Sequence, residues 1–402
     1  MLRSAHTKRL ALALAVTAMM ASAVMSGSAT ADPKQLGAAV GVGSDTTQDV
    51  MNALAGFSNG VNYTPVQSSS GSGARQLISF DATPPAGVAD SCVTVKTGAP
   101  TFTRPNGSTQ GRRALSRAID GTGYGSAACG GVQNVSGLVQ FARSSSGPAA
   151  GDTGTNLTYI PFGRDGMSFA AYRANGAPVT TLSRAQLTSL FTTGPQVIGG
   201  VRIVPCGIQL GSGTYAFWQT VTTATAAQED AATAECNALV PNAATAGRAQ
   251  ESNGPELAAR GVALAANPAT ANDQVIIGFS AGQYIARSNG AASPAPGVGV
   301  EIGSISDNGS GVNLGSPVSG TAPNMVPVQA FFDDATFGRS VYNVFATSII
   351  TSLAGNNDLK TMFVGPTSSV CLSTTVIQKF GFTVHPSCGS TATKGSLISG
   401  QL

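Results

Sequence analysis

Three short segments place small and hydroxyl-bearing residues between an extended run and a helical one: GVGSDTTQDV (Gly41–Val50), SSSGSGARQL (Ser68–Leu77) and QLGSGTYAFW (Gln209–Trp218). The first N–H groups of a helix have no partner within it, and the helix dipole leaves that end partly positive. Glycine admits close approach of a ligand to the backbone, and hydroxyl groups add donors that rotate to fit. Three such ends meeting in one cleft would hold an oxyanion with few full charges. For any one segment ordinary helix capping, which asks for the same residues, is the favoured reading; three similar segments together strengthen the ligand reading. A nucleotide-type phosphate loop is excluded, because G-x-x-x-x-G-K-[ST] does not occur.

The elements that must position these turns alternate between strand and helix, which indicates an α/β protein. QLGAAVGVG (Gln35–Gly43) reads as a first strand. SDTTQDVMNALAGF follows as a helix with Val50, Leu54 and Phe57 at helical spacing. Val61–Gln67 reads as extended, and the Gly-, Pro- and Cys-rich stretch Asp81–Gly137 as irregular loops. Gly137–Gly147 is a short strand entering a polar turn, and Asn156–Ala174 holds two extended pieces. LSRAQLTSLFTTG has a capping box at Ser183 and Gln186, an apolar face of Leu187, Leu190 and Phe191, and a terminating Gly194. ATAAQEDAATAECNAL reads as an alanine-rich helix and QVIIGFSAGQYIARSNG (Gln274–Gly290) as strand, turn and helix. Ala291–Pro323 reads as loops or a hairpin, and Phe337–Gly355 as a last long amphipathic helix.

Composition narrows the class. Arg3, Lys8 and Arg9 precede the apolar run Leu10–Val24, and Ala29-Thr30-Ala31 offers a small-x-small cleavage site, so residues 1–31 are expected to be a secretory signal. The apolar run is shorter than the roughly 20 residues a membrane span needs. No cysteine lies near the cleavage site, so no lipoprotein anchor is expected, and the mature chain is expected outside the cytoplasm. The chain has 22 basic and 19 acidic residues; the signal removes three basic ones and no acidic one. A mature chain with no net charge gives no general basic surface for nucleic acid. Six cysteines in an exported chain favour disulfides, expected between sequence neighbours as Cys92–Cys129, Cys206–Cys236 and Cys371–Cys388. No C-x-x-C pair points to a metal, and no cofactor is expected.

GVGSDTTQDVMNAL, FARSSSGP, LSRAQLTSLFTTG, GSGTYAFW and VIIGFSAGQYIARSNG occur in this order. Together, over roughly Gly41 to Ser352, they resemble the phosphate-type (PstS-like) family of periplasmic and extracellular solute-binding proteins. The resemblance implies a type 2 periplasmic-binding fold with two α/β lobes and a two-stranded hinge. Lobe one would comprise residues 35–162 and 278–402, and lobe two residues 163–277. It implies a monomeric, non-catalytic protein that captures phosphate or a related small oxyanion, with an ABC permease as partner; a non-transport binding or adhesion role on the same fold is the alternative.

Carried over by motif, Ser44, Asp45 and Thr46 match the first ligand loop, and Ser70, Gly71 and Ser72 the second. Arg143, Ser144 and Ser145 stand where the phosphate binders have a Ser-Asp pair, and Ser212, Gly213 and Thr214 match the loop from the other lobe. Two departures stand out. FARSSSG lacks the carboxylate that would accept the proton of phosphate and repel sulfate; Asp45 is one substitute, or it caps its own helix. The family's arginine ahead of the GSGT-like loop is also missing, since Gln209 and Leu210 stand there, which leaves Arg143, Arg75 or Arg164 to supply positive charge.

An enzymatic alternative rests on GFSAG (Gly278–Gly282), a G-x-S-x-G between a strand and a helix. Ser280 would be the nucleophile of a secreted esterase, with Asp333, Asp334 or Asp358 as the acid and His385 as the base. No HGGG-type oxyanion segment accompanies it. Trp218, Phe217 and Tyr215 are expected as a buried aromatic face, with stacking on a sugar as the other use.

Overall fold

Residues 39–69, 75–84, 91–241, 245–352 and 357–402 are described by the computed structural model of the chain. The expected signal, residues 1–31, and the loop residues Ser70, Gly71 and Ser72 lie outside them. The fold is mixed α/β. Its first strand, β1 (Ala39–Gly43), is buried throughout and leads into a short helix, α1 (Gln48–Leu54). β1 pairs in parallel with β2 (Leu77–Ser79) on one side. On the other side it pairs in parallel with β3 (Phe141–Ser144), which follows α2 (Ser108–Asp120).

α2 lies within the stretch expected to be irregular. Its sequence STQGRRALSRAID is mostly small and charged, with few large apolar residues to mark a core face. The helix instead packs through small ones: Gly111 lies so near β1 that a Cβ there would sit 2.5 Å from the Gly43 Cα. Gly121 closes it in the left-handed conformation, as a helix C-terminus favours.

A 16-residue strand, β4 (Leu157–Tyr172), runs where two extended pieces were expected. Beyond it come α3 (Arg184–Thr193), whose capping box at Ser183 and Gln186 is formed, and a hairpin of β5 (Gln196–Ile198) and β6 (Val201–Pro205). The chain continues through α4 (Gly213–Thr222), α5 (Ala226–Leu239), α6 (Gly254–Ala265), β7 (Gln274–Ser280) and α7 (Ala281–Ser288). The segment expected as a last long helix is chiefly a strand, β8 (Gly338–Ala346), followed by a short helix at Thr347–Thr351. The β-branched and aromatic run Val341–Phe345 favours a pleated surface, and β3 and β4 pair with it on either side.

The main sheet has the order β5-β6-β7-β4-β8-β3-β1-β2. Around β1 to β3 the side chains alternate between two cores. Ala39, Leu77, Phe141 and Phe345 lie in one, and Val40, Ile78, Ala142 and Val344 in the other, so both faces of this half are covered. A third core gathers Ile203, Val204, Trp218, Ile276 and Phe279 around β6 and β7. Among the described residues, two chain segments of this path carry core residues of both halves. Tyr159 and Ile160 of β4 belong to the first half and Phe169 to the second; on the second chain segment Val344 and Phe345 belong to the first and Phe337, just before β8, to the second. β4 and β8 are antiparallel, with a register shift between Val341 and Tyr342 beside Pro161, which has no N–H for the ladder.

The disulfides Cys92–Cys129, Cys206–Cys236 and Cys371–Cys388 are formed as expected from sequence neighbours. Among the described residues no helix is long and apolar enough to cross a membrane.

Candidate functional site

The loop from β1 to α1 presents its hydroxyls away from its own helix. Thr47 is the helix N-cap, yet its side chain makes no capping bond. The Ser44 hydroxyl donates to Ser145 Oγ at 3.2 Å, and Ser145 Oγ is also 3.2 Å from the Ser108 hydroxyl at the start of α2. Ser108 Oγ further accepts from the Ser145 backbone N–H at 2.9 Å. Ser144, by contrast, turns its hydroxyl to the Ser146 carbonyl at 2.7 Å and shapes the turn after β3.

From the other half of the sheet, α4 brings its N-terminus to the same place. Ser212 caps the helix by accepting from the Tyr215 N–H at 3.1 Å, and its hydroxyl donates to Glu251 Oε2 at 2.6 Å. The Thr214 and Thr46 hydroxyls are 3.1 Å apart, and Thr46 Oγ1 also reaches Glu251 Oε2 at 3.3 Å. Gly213 lets the two sides touch: a Cβ there would fall 2.3 Å from Ser108 Oγ and 2.5 Å from Ser145 Oγ. Capping and a bond to Glu251 thus coexist at Ser212, the Ser44 hydroxyl joins Ser145 on its own side, and the Thr46 hydroxyl makes the contact between the two sides.

One cation enters this cluster, from β8. Arg339 donates through Nη2 to Thr214 Oγ1 at 3.1 Å and Thr46 Oγ1 at 3.4 Å. Its Nε and Nη2 also hold Asp165 Oδ2, at 3.0 and 2.7 Å. Asp165, on β4, is fully buried; its Oδ1 accepts from Ser280 Oγ at 2.9 Å and the Gly282 N–H at 3.0 Å. Gln283 of α7 donates to the Thr46 carbonyl at 2.6 Å. Buried atoms without a hydrogen-bond partner here include Arg339 Nη1, Glu251 Oε1, Thr47 Oγ1 and Ser146 Oγ.

A second carboxylate stands close by. Asp45 accepts from Gln250 Nε2 at 3.3 Å, and Gln250 exchanges side-chain bonds with Asn106. Burial first, and then the neighbouring Glu251 carboxylate, push the Asp45 carboxyl up to about 7 despite the opposing pull of Arg287. Asp45 therefore holds its proton to higher pH than an ordinary carboxyl, and it makes no side-chain capping bond to α1.

The remaining expected residues fall elsewhere. Arg143 is fully buried behind the loop and donates to the carbonyls of Gly41, Gly43, Ser44 and Phe80 and to Ser79 Oγ. Desolvation pulls its guanidinium down to about 10. It holds the end of β1 in shape, and the cation at the hydroxyl cluster is Arg339. Arg75 makes an exposed ion pair with Asp358 at 3.4 Å, and the largely buried Arg164 pairs with the half-exposed Asp333 at 3.3 Å. Of the aromatics, Trp218 is wholly buried edge-on to Phe191 at 5.5 Å, whereas the Phe217 ring lies 5.7 Å from the Arg339 guanidinium.

The esterase reading does not hold. Ser280 Oγ is buried, accepts from the Gln283 N–H as the cap of α7 and donates to Asp165. His385 instead bonds Ser340 Oγ at 3.0 Å and is held below the usual imidazole range by burial and by Arg164. Serine, acid and base of the expected triad belong to separate networks.

Glu251, Arg339, Ser108 and Asp165 were not among the expected site residues. The usable signal was a charge inside an apolar run: FGRDGMSF and FGRSVYNVF each carry charge where a buried strand demands a partner.

No protein-family model and no curated protein matches the chain. Several solved structures resemble it. A Clostridium perfringens structure with bound phosphate, described as a phosphate ABC transporter substrate-binding protein, is 12% identical with a TM-score of 0.43, covering 87% of this chain and 100% of the other. An ABC-type phosphate transport receptor from Vibrio cholerae is 12% identical with a TM-score of 0.39, covering 86% and 98%. A phosphate-binding protein from Stenotrophomonas maltophilia is 14% identical with a TM-score of 0.37, covering 87% and 91%. These are likenesses only and assign neither a ligand nor a residue role to this chain.

Proposed function

We propose that this chain is an exported, non-catalytic solute-binding protein of the type 2 periplasmic-binding kind, and that it takes a small oxyanion, phosphate first, between two lobes. The observation that carries this reading is the single buried cluster built from both halves of the sheet. Ser44, Thr46, Ser108 and Ser145 come from one side, Ser212, Thr214 and Glu251 from the other, and Arg339 bridges them. Hydroxyl donors, the first N–H groups of α4 and one guanidinium form a set that solvates an anion without water.

An anion taken up here replaces the direct Ser44–Ser145 and Thr46–Thr214 contacts. The lobes part to load it, bending where β4 and β8 pass between the cores, and close through contacts made only in the closed form. Glu251 takes the part of the carboxylate missing from FARSSSG: its unpartnered Oε1 accepts from an anion that keeps a proton and repels one that does not. The sequence resemblance favours phosphate and an ABC permease as the membrane partner.

Equilibrium dialysis of the purified chain with labelled phosphate tests the reading. Saturable binding that excess sulfate fails to displace, and that Glu251→Gln makes sulfate-sensitive, is expected. Absence of retained phosphate at millimolar concentration refutes it.

A further inference from the structure

Where the buried cluster ends, a cavity of about 410 Å³ opens, lined among others by Ser146, Arg164, Phe217, Asp333, Arg339 and Tyr342. It is continuous in sequence with the site: Ser146 follows Ser145, and Phe217 lies one helical turn beyond Thr214. Arg339 belongs to both. Its Nη2 serves Thr214 and Asp165, while its Nη1, in a side chain only 2% exposed, has no hydrogen-bond partner. Ser146 Oγ is likewise buried and unpartnered. Unsatisfied buried donors of this kind imply an acceptor that the protein itself does not supply.

The walls have the chemistry of a hydroxylated carbon skeleton. Phe217 is only partly buried and offers a ring beside the guanidinium. The Asp333 carboxylate is half exposed, held by Arg164 at 3.3 Å and by Gln329 Nε2 at 2.8 Å, so its remaining lone pairs face outward. A carboxylate–guanidinium pair accepts from and donates to adjacent hydroxyls, and an aromatic ring covers the C–H face of a sugar. A bare inorganic anion uses none of this.

We propose that the ligand is a phosphomonoester of a sugar or polyol, with its phosphoryl group among Thr46, Thr214 and Arg339 and its carbon skeleton in the cavity against Phe217 and Asp333. The proposal rests on the oxyanion reading above and names its substrate class. A monoester loses its second proton near pH 6, so at that pH a share of it still carries the proton that Glu251 accepts.

The test is calorimetry at pH 6 with inorganic phosphate, glycerol 1-phosphate, glucose 1-phosphate and glucose, on the wild-type chain, Phe217→Ala, Asp333→Asn and Thr214→Val. At least one ester binding tenfold or more tightly than phosphate is expected, with that advantage lost in Phe217→Ala and Asp333→Asn. Both variants keep phosphate affinity within twofold of wild type, which also shows that they fold, and Thr214→Val weakens every anion. Esters binding no better than phosphate, or losing nothing in the cavity variants, overturn the proposal and leave the oxyanion site standing. If no anion binds, the oxyanion reading itself fails and this proposal with it.

Discussion

Thr46 and Thr214 lie 168 positions apart in the chain, and their hydroxyls meet at 3.1 Å with the same Arg339 nitrogen on both. Each belongs to a different half of the sheet, so this pair marks where the two halves touch. Removing Arg339 has two separable effects: it takes the cation from the hydroxyls and leaves Asp165 buried without its guanidinium.

Breaking a buried ion pair from one side costs about 3–5 kcal/mol, because the remaining charge is uncompensated. Arg339→Met is expected to lower unfolding stability by that order, measured by urea denaturation. Arg339→Met combined with Asp165→Asn is expected to recover part of the loss. A single variant as stable as wild type would show that the pair is not closed in solution.

Stability also depends on pH through Asp45. Burial, Glu251 and Asp49 raise its carboxyl to about 7, against Arg287 and the Gln250 hydrogen bond, and Asp49 is raised to about 6 chiefly by burial. Both folded values lie above the unfolded value near 3.8. The folded chain therefore binds more protons than the unfolded one between pH 4 and 7. Stability is full below pH 4 as far as these groups are concerned and falls as pH rises through 6 and 7, by at most about 1.4 kcal/mol per pH unit per proton. Denaturation between pH 4.5 and 7.5 should show this decline, with a shallower one in Asp45→Asn. Parallel curves for the two proteins would remove Asp45 from the account.

Gly107 offers a test of closure that leaves the anion contacts intact. Its φ is +109°, and a Cβ there would sit 2.5 Å from the Gly211 carbonyl oxygen, where Thr109 N–H meets that oxygen at 3.0 Å. Gly107→Ala is expected to hold the two sides apart, weaken phosphate binding about tenfold or more, and enlarge the radius of gyration in solution scattering with phosphate present. Wild-type affinity in this variant would mean that the Gly107–Gly211 contact plays no part in binding.

The Cys206–Cys236 disulfide closes a loop with a sequence separation of 30 between β6 and α5. Loop-closure entropy assigns such a cross-link about 3–4 kcal/mol. Replacing both cysteines by alanine is expected to lower the urea midpoint accordingly, and an unchanged midpoint would show that β6 and α5 hold together without it.

The hydroxyls of Ser44, Thr46, Ser212 and Thr214 were legible because strand–glycine–hydroxyl–helix junctions are local patterns, whereas Ser145 was singled out only through the family resemblance. The α3 and α4 helices were legible for the same reason, through Ser183, Gln186 and the apolar spacing. What the sequence hid depends on partners far along the chain. Ser108 opens a helix whose packing runs through Gly111 and whose large apolar residues are few. Glu251 sits in an irregular loop and acquires meaning only beside Ser212 and Thr46. Arg339 lies in a run whose spacing suited a helix, and only the pairing of β8 with β4 and β3 makes it a strand. Arg143 was the arginine nearest the hydroxyls in sequence, yet the carbonyls at the end of β1 take its donors first.

The central claim, one anion held by both lobes at once, is tested most directly by isothermal calorimetry with inorganic phosphate on the wild-type chain and on Ser44→Ala with Thr214→Val. The account predicts saturable heat with about one phosphate per chain for the wild type and none for the double variant, while both unfold cooperatively. Equal titrations for the two proteins would contradict it.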